Sequence, residues 1–209
     1  MIRKTIRISI VDNLKLPLTI HRFPSLASTN QTLWELLAQG AKAGTIVISE
    51  AQTAGRGQWG RYWESGRGGL YLSVAVFPDW EATHSGELTI ATAWGIATVL
   101  QNYGIPIQLK APNDLFLVGK KLGGILTETR IQGGKIITAV IGVGINWSNP
   151  VPDVGISLNN YWSTQGINPQ IQSLSQLEAV VLEGIFFGYG QLQGKGVSSF
   201  LKDYQNLLQ

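Results

Sequence analysis

The segment Gln52–Trp63, which reads QTAGRGQWGRYW, combines positive charge with a backbone that can bend freely. Three glycines alternate with Arg56 and Arg61, so backbone N–H groups and guanidinium groups can approach one ligand together. Guanidinium groups form planar forks that match carboxylate and phosphate. This segment, the glycine-arginine loop, therefore predicts a site for a dense negative charge. A solvated flexible loop and an Arg-Gly patch that binds RNA are alternatives that these residues leave open.

A second polar group follows further along the chain, where Lys110–Asp114 reads KAPND. Proline, asparagine and aspartate favour a turn, and Gly119-Lys120 predicts a second reversal just before Lys121. A strand between two turns would return the Lys121 ammonium group towards Asp114. Positive charge is thus focused on one expected site, because six of the 16 basic residues fall in these stretches. They are Arg56, Arg61, Arg67, Lys110, Lys120 and Lys121.

Length and composition predict one globular domain over residues 1–209, with 44% hydrophobic residues and a mean hydropathy of +0.10. Charged residues make up only 14%, against about 25% in an average soluble protein, so each charged cluster is informative. The net charge of +3 is too small to indicate nucleic-acid binding by itself. No cysteine is present, which excludes disulfides and a thioester intermediate and fits a reducing cytoplasm.

The remaining patterns argue against a membrane protein and against a metalloprotein. The N-terminal stretch MIRKTIRISIVDNLKLP is basic, but polar residues break its apolar runs, so we expect neither a signal peptide nor a membrane span. His21 and His84 lie far apart in sequence, whereas a metal site needs several convergent ligands. We therefore expect no protein-bound metal site.

The order of elements predicts an α+β fold, in which helices pack on one face of a mixed, largely antiparallel sheet. The predicted strands are Leu18–Phe23, Thr45–Glu50, Gly69–Phe77, Ile107–Lys110, Leu115–Val118, Lys121–Arg130 and Lys135–Trp147. One predicted helix starts at Ser28-Thr29-Asn30 and ends at Gly40. Three further helices are predicted over Gly86–Tyr103, Ser175–Gln193 and Val197–Leu208. The stretch Ser148–Leu174 is rich in turn residues and is expected to be a long surface segment.

Glycine interrupts two neighbouring predicted strands at a similar depth. Gly123 and Gly124 lie in one strand, and Gly142 and Gly144 lie in the other. Glycine weakens a strand and usually marks a bulge or the close approach of a ligand. We therefore expect a slot in the sheet at this position.

Five motifs in the same order across Ser28–Asn146 resemble those of the biotin protein ligases. In the order of the chain, STN resembles the family's S-T-N and GRGQWGRYW resembles its GRGRxGRxW. KAPND then resembles KWPND, KLGGILTE resembles K-L-x-G-I-L-x-E, and GVGIN resembles G-x-G-I-N. The related lipoate ligases share the fold and the adenylate chemistry and remain an alternative. The glycine-arginine loop together with KLGGILTE favours biotin.

The resemblance implies that the protein joins the carboxylate of biotin to the α-phosphate of ATP and releases pyrophosphate. Biotin would then pass from biotinyl-AMP to one lysine of a biotin carboxyl carrier protein. Lys121, Arg56 and Asp114 would be the catalytic residues, with Mg²⁺ bridging the oxygens of ATP. Asp114 would orient Lys121 or accept a proton from the incoming amine, although an aspartate that only caps a turn is an alternative.

The resemblance also implies two sets of binding residues. The implied biotin site consists of Ser28, Thr29, Asn30, Gln52, Gly55, Arg56, Gly57, Gln58, Lys121, Gly124, Gly142 and Gly144. The implied nucleotide site consists of Arg56, Arg61, Trp63, Lys110, Asn113, Lys121 and Asn146. Within these sets, Ser28, Thr29, Asn30 and Gln52 would bind the ureido end, the glycines would let the ring lie against backbone, and Trp63 would stack on adenine. The loop is expected to be mobile without ligand and ordered over the adenylate.

The chain departs from the family pattern in ways that carry expectations. Gln58 and Ala111 stand where the family usually has an arginine-type contact and a tryptophan, so the adenylate is expected to be held less tightly. Only 24 residues precede Ser25, too few for a winged helix, so we expect no DNA-binding domain. The chain stops at Gln209, where relatives often add a small β-barrel. A homodimer through paired edge strands is a further expectation.

Overall fold

The computed structural model describes residues 16–209, and the expectation about the N-terminal stretch falls largely on residues outside that range. The strands are β1 (Thr19–Phe23), β2 (Thr45–Ser49), β3 (Leu70–Val76), β4 (Trp80–Glu81), β5 (Gln108–Lys110), β6 (Asp114–Leu117), β7 (Lys120–Gln132) and β8 (Lys135–Ile145). The helices are α1 (Thr29–Ala38), α2 (Ser85–Asn102), α3 (Leu158–Gln165), α4 (Leu174–Lys195) and α5 (Leu201–Asn206). No helix within the described range is long and apolar enough to span a bilayer.

All eight strands form one sheet in the order β1-β2-β3-β8-β7-β6-β5, with β4 paired to β8 beyond the end of β3. Only β1 and β2 run parallel to each other, which confirms the predicted mixed, largely antiparallel sheet. The turn Gly133-Gly134 closes the β7–β8 hairpin, as predicted, with both residues at positive φ. The β6–β7 reversal lies at Val118-Gly119, one residue earlier than predicted, so Lys120 already belongs to β7.

The prediction that helices cover one face of the sheet is wrong for α1. Residues alternate in direction along a strand, so Ile46 and Ile48 of β2 belong to the large core under α2 and α4. Val47, between them, joins a smaller cluster with Leu33 of α1 on the opposite face. The apolar residues of α1 indicated that it packs on the sheet, but they did not indicate on which face.

Helices α2 and α4 pack unusually closely on the large face, because glycines lie at their contact. A Cβ atom on Gly188 would overlap the carbonyl of Ala91, and one on Gly95 would overlap the carbonyl of Gly184. These glycines allow the two backbones to touch. The pair of helices forms a rigid layer behind the central strands.

The segment Ser148–Leu174 is not only a surface loop, because it contains α3. Ser157 caps this helix by accepting a hydrogen bond from Asn160 N at 3.3 Å, and Gly166 ends it at φ 63°. Tyr161 and Trp162 are buried in the large core, where Trp162 packs edge-on against Trp147. The abundance of turn residues hid a short helix that is held by its tertiary contacts.

Candidate functional site

A cleft that is open to solvent lies between the glycine-arginine loop, the start of α1 and the strands β7 and β8. Most of the predicted site residues line it: Ser28, Thr29, Asn30, Gln52, Arg56, Gly57, Gln58, Arg61, Trp63, Asn113, Asp114, Lys121, Gly124, Gly142 and Gly144. Four lining residues were not predicted: Tyr62, Ile125, Leu126 and Val143. Ile125, Leu126 and Val143 give the cleft apolar lining beside its polar groups, a combination that suits a small organic ligand.

Lys121 and Asp114 form an ion pair in the wall of the cleft. Lys121 Nζ lies 2.7 Å from Asp114 Oδ1 and 5.4 Å from the centre of the Trp63 ring. Both residues belong to the β6–β7 hairpin, where a bulge beside Gly123 shifts the register. The backbone of Lys121 is fixed as well, since its carbonyl accepts a hydrogen bond from Ile156 N at 3.0 Å. The hairpin therefore presents an oriented ammonium group to the cleft.

Arg56 provides a second cation that lines the cleft. Its Nη2 lies 3.2 Å from Oε1 of Glu128, and its side chain is half exposed. Residues 56–62 form a miniature hairpin, in which Arg56 pairs with Tyr62 and Gly57 N donates to the Arg61 carbonyl at 2.7 Å. Trp59 at the tip has φ 59° and is 92% exposed. Arg61 also lines the cleft, so three cationic side chains converge there.

A polar network at the start of α1 forms one end of the cleft. Gln52 Oε1 accepts a hydrogen bond from Thr29 N at 2.8 Å, and Gln52 Nε2 donates to Ser65 Oγ at 2.8 Å. Ser28 is the N-cap residue of α1 by its backbone position, but its side chain makes no capping hydrogen bond. Its hydroxyl is therefore not used by the helix. The hydroxyl and amide groups at this end suit a ligand with a polar, hydrogen-bonding head.

The glycines of β8 line the cleft as predicted, and they also make room for the protein's own side chains. A Cβ atom on Gly142 would overlap Asn30 Oδ1, and one on Gly144 would overlap Trp63 Nε1. Gly124 differs, because its Cβ would lie 3.5 Å from Asp114 Oδ1 and 3.6 Å from Lys121 Cε, which are ordinary contact distances. Among the cleft glycines of β7 and β8, Gly124 is thus the one that the protein's own packing does not require.

Three predicted site residues do not line the cleft. Gly55 lies at the base of the glycine-arginine loop, where a Cβ would overlap the Trp63 carbonyl. Lys110 is exposed, with Nζ 5.6 Å from the centre of the Phe116 ring. Asn146 is buried and donates through Nδ2 to the Ile156 carbonyl at 3.2 Å. Gly55 and Asn146 therefore have evident structural roles.

Fewer basic residues line the cleft than the six that were expected to focus positive charge on the site. Arg67 forms an exposed ion pair with Glu50 at 2.6 Å, outside the cleft. Lys120 is exposed at the start of β7 and does not line the cleft either. Neighbouring residues on a strand point to opposite faces, so only Lys121 of the Lys120-Lys121 pair reaches the site.

A second depression adjoins the cleft on the other side of Trp63. Its lining residues are Tyr62, Trp63, Glu64, Lys121, Asn146, Pro150, Val151, Pro152, Val154 and Gly155. Tyr62, Trp63 and Lys121 line both cavities. Trp63 Nε1 is buried and has no hydrogen-bond partner within residues 16–209. The two cavities together form an elongated site with a cation and an aromatic ring at its middle.

Several supporting residues were missed by the sequence reasoning. Glu128 binds both Arg56 and Asn30, and Ser73 Oγ donates to Asn30 Oδ1 at 2.6 Å. Tyr71 donates to the Gly66 carbonyl at 2.7 Å, and burial raises the pKa of its phenol, so the hydroxyl stays protonated. The final glutamate of KLGGILTE was the available signal for Glu128. Ser73 and Tyr71 lay inside an apolar strand and gave none.

Comparison with known proteins agrees with the fold and the cleft. The chain belongs to the biotin/lipoate A/B protein ligase family, whose sequence model matches residues 22–146. This confirms the resemblance that the five motifs indicated. The match covers the cleft residues from Ser28 to Gly144, including the glycine-arginine loop and Lys121.

Individual relatives give the same result. The bifunctional ligase/repressor BirA of Bacillus subtilis is 37% identical over 133 residues, which are 61% of this chain and 41% of that protein. The BirA protein of Escherichia coli is 32% identical over 191 residues, 88% of this chain and 57% of the relative. The chain thus spans about half the length of these relatives. The biotin protein ligase of Aquifex aeolicus, solved with biotin and ATP, has the same fold, with a TM-score of 0.73 at 24% identity over 90% of this chain and 78% of that one.

Proposed function

We propose that this protein is an ATP-dependent biotin protein ligase. It would form biotinyl-5'-AMP from biotin and ATP and then transfer biotin to a lysine of a biotin carboxyl carrier protein. The observation that carries this proposal is the convergence of Arg56 and Lys121, from distant segments, on one cleft with a polar end. Similarity to relatives that include a biotin–[acetyl-CoA-carboxylase] ligase of Paracoccus denitrificans supports it.

The first step joins two anions, so the protein has mainly to neutralise charge and hold the reactants in line. A carboxylate oxygen of biotin attacks the α-phosphorus, the bond from that phosphorus to the bridging oxygen breaks, and pyrophosphate leaves. Arg56 and Lys121 both line the cleft, so they would together bind the developing charge. Arg61, at the mouth, would bind the leaving phosphates.

The polar network would orient biotin for this step. Thr29, Asn30 and Gln52 line this end of the cleft and would face the ureido group, and Ser28 contributes a hydroxyl that the helix does not use. The apolar ring would lie against Ile125 and Val143 beside Gly124. The adenosine would then occupy the second depression, where Trp63 offers a ring face.

The second step moves the acyl group to an amine. A neutral lysine ε-amino group of the carrier attacks the acyl carbon, the bond from carbon to the phosphate oxygen breaks, and AMP leaves. Asp114 lies beside Lys121, so it is placed to accept the proton that the amine loses. Lys121 would stabilise the phosphate of the leaving AMP.

A magnesium ion fits the site as a partner of ATP rather than as a resident metal. No group of three or more histidine, aspartate or glutamate side chains converges within residues 16–209. Mg²⁺ commonly keeps water and substrate phosphates as ligands with one or two carboxylates, and Asp114 supplies a carboxylate in the cleft wall. When bound, the ion would reduce the charge of the triphosphate.

Incubation with ATP, Mg²⁺, biotin and a carrier domain tests the proposal. We expect pyrophosphate to appear with biotin, and one carrier lysine to gain the mass of biotin less one water. Lipoate in place of biotin is the specificity control, and faster turnover with lipoate would reassign the substrate. Binding of RNA that weakens with salt, without pyrophosphate release, would support the RNA-binding alternative instead.

The partners of the protein form a separate part of the proposal. We expect the carrier to be the macromolecular partner and DNA not to be one. A homodimer would form through β1, because within the described range only β2 pairs with this strand and its other edge is open. Sedimentation analysis tests the dimer. We also expect a cytoplasmic location, because a chain without cysteine fits a reducing compartment.

A further inference from the structure

The carboxylate of Glu128 lies between two parts of the site. Its Oε1 is 3.2 Å from Arg56 Nη2, and its Oε2 accepts a hydrogen bond from Asn30 Nδ2 at 2.8 Å. We propose that Glu128 is the positioning residue that holds Arg56 at the wall of the cleft and thereby fixes the glycine-arginine loop. This inference rests on the proposed function of the cleft for its catalytic consequence, but not for its structural one.

Glu128 is itself held in one orientation. Asn30 is buried, and both ends of its amide are used, since Oδ1 accepts a hydrogen bond from Ser73 Oγ at 2.6 Å and Nδ2 also reaches the Leu126 carbonyl at 3.3 Å. The amide therefore cannot turn without breaking contacts to β3 and β7. Its Nδ2 atom fixes one oxygen of Glu128 and leaves the other directed at Arg56. The carboxylate acts as a rigid point on the central sheet.

Arg56 is the place where the tip of the loop is attached. Within residues 16–209, its ion pair with Glu128 is the one hydrogen bond or ion pair between residues 56–62 and the rest of the protein. The backbone of Arg56 pairs with that of Tyr62, so holding Arg56 also holds the returning arm of the miniature hairpin. The glycines on either side leave the arms few other restraints. A single ion pair thus determines where the loop tip rests.

Glu128 acts from outside the cleft. A second groove, the outer groove, is formed by the glycine-arginine loop together with Leu126 and Glu128. Arg56 lines both the cleft and the outer groove, whereas Glu128 lines only the outer groove. A guanidinium group has five N–H donors, so a carboxylate on one side leaves donors free for an anion on the other. The half-exposed pair contributes little to global stability. Its consequence is orientation: Arg56 is directed at the position where the anions would react.

The substitution Glu128→Gln tests this role, because glutamine keeps an acceptor for Asn30 and removes the charge opposite Arg56. Without substrates, we expect trypsin to cleave after Arg61 several times faster in the variant, at an unchanged melting temperature. With substrates, we expect biotinyl-AMP formation to slow about 10- to 100-fold. In an Arg56→Gln background, Glu128→Gln should cause no further loss, because its effect passes through Arg56.

A matched control is Glu50→Gln, which breaks the exposed ion pair with Arg67 just beyond the loop. Neither cleavage after Arg61 nor adenylate formation should change in this variant. Wild-type cleavage and wild-type rates in Glu128→Gln would overturn the inference, as would an equal loss of activity with and without Arg56. If the wild-type protein forms no adenylate at all, the proposed function fails, while the cleavage comparison still decides whether Glu128 holds the loop.

Discussion

The Lys121 ammonium group lies 2.7 Å from the Asp114 carboxylate and 5.4 Å from the centre of the Trp63 ring, where the two cavities of the site meet. The carboxylate orients the lysine without enclosing it, since the Lys121 side chain is 31% exposed. An ammonium group held in this way needs little rearrangement when an anion arrives. Lys121 is therefore expected to be the principal electrostatic residue of the adenylation step.

Replacement of Lys121 by glutamine should remove most of the activity. The variant loses the cation and leaves Asp114 as an uncompensated negative charge beside two anionic reactants. We expect the rate of pyrophosphate release to fall by about 10²- to 10³-fold, the usual effect of removing one such group. Lys120→Gln is the matched control, because the Lys120 side chain is next in sequence but lies outside the cleft. Equal losses in both variants would contradict the assignment.

Substitution of the cleft glycines by alanine should separate ligand space from protein packing. In Gly124→Ala, the new methyl group meets the protein at ordinary contact distances, so the melting temperature should stay unchanged. Biotin should nevertheless bind about 10- to 100-fold more weakly in calorimetry, because the methyl group occupies ligand space.

Gly142→Ala is the counterpart of that variant, because its methyl group overlaps Asn30 Oδ1. We expect it to lose about 1–3 kcal/mol of stability as well as affinity. A stable Gly142→Ala variant with normal biotin binding would show that Asn30 can move without consequence.

Gly188→Ala should destabilise the fold through the contact of α2 and α4. Its methyl group overlaps the carbonyl of Ala91, so the helices would have to separate, at a cost of about 1–3 kcal/mol in urea unfolding. Gly194→Ala is the control in the same helix, where no atom lies within 4 Å of the new methyl group. That variant should be as stable as the wild type or up to about 1 kcal/mol more stable.

Gln58→Arg should slow the release of biotinyl-AMP. Gln58 lines the cleft but brings no charge, and an arginine there would add a charge-assisted hydrogen bond to the phosphate. We expect dissociation to slow by about 10- to 100-fold, which corresponds to the usual strength of such a bond. Dissociation of the adenylate can be followed by rapid filtration. If the wild type releases the adenylate no faster than the variant, the expected weak retention is ruled out.

The sequence by itself determined the sheet, the hairpins and most of the lining of the cleft. Strand periodicity, capping residues and turn pairs such as Gly133-Gly134 are local signals, so they can be recognised without knowledge of the rest of the chain. The motif residues Arg56, Asp114 and Lys121 were also recognisable. The type and order of these residues indicated the chemistry before any distance was known.

Only the tertiary structure decided which side chains face the cleft. The sequence singled out Lys121 rather than Lys120 by its motif, but only the folded hairpin shows that Lys121 lines the cleft and Lys120 does not, because neighbouring strand residues point to opposite faces. The filling of Gly142 and Gly144 by Asn30 and Trp63, and the placement of α1 opposite α2 and α4, likewise depend on contacts between segments far apart in the chain. Local patterns do not encode such contacts, because they are set by the packing of the whole sheet.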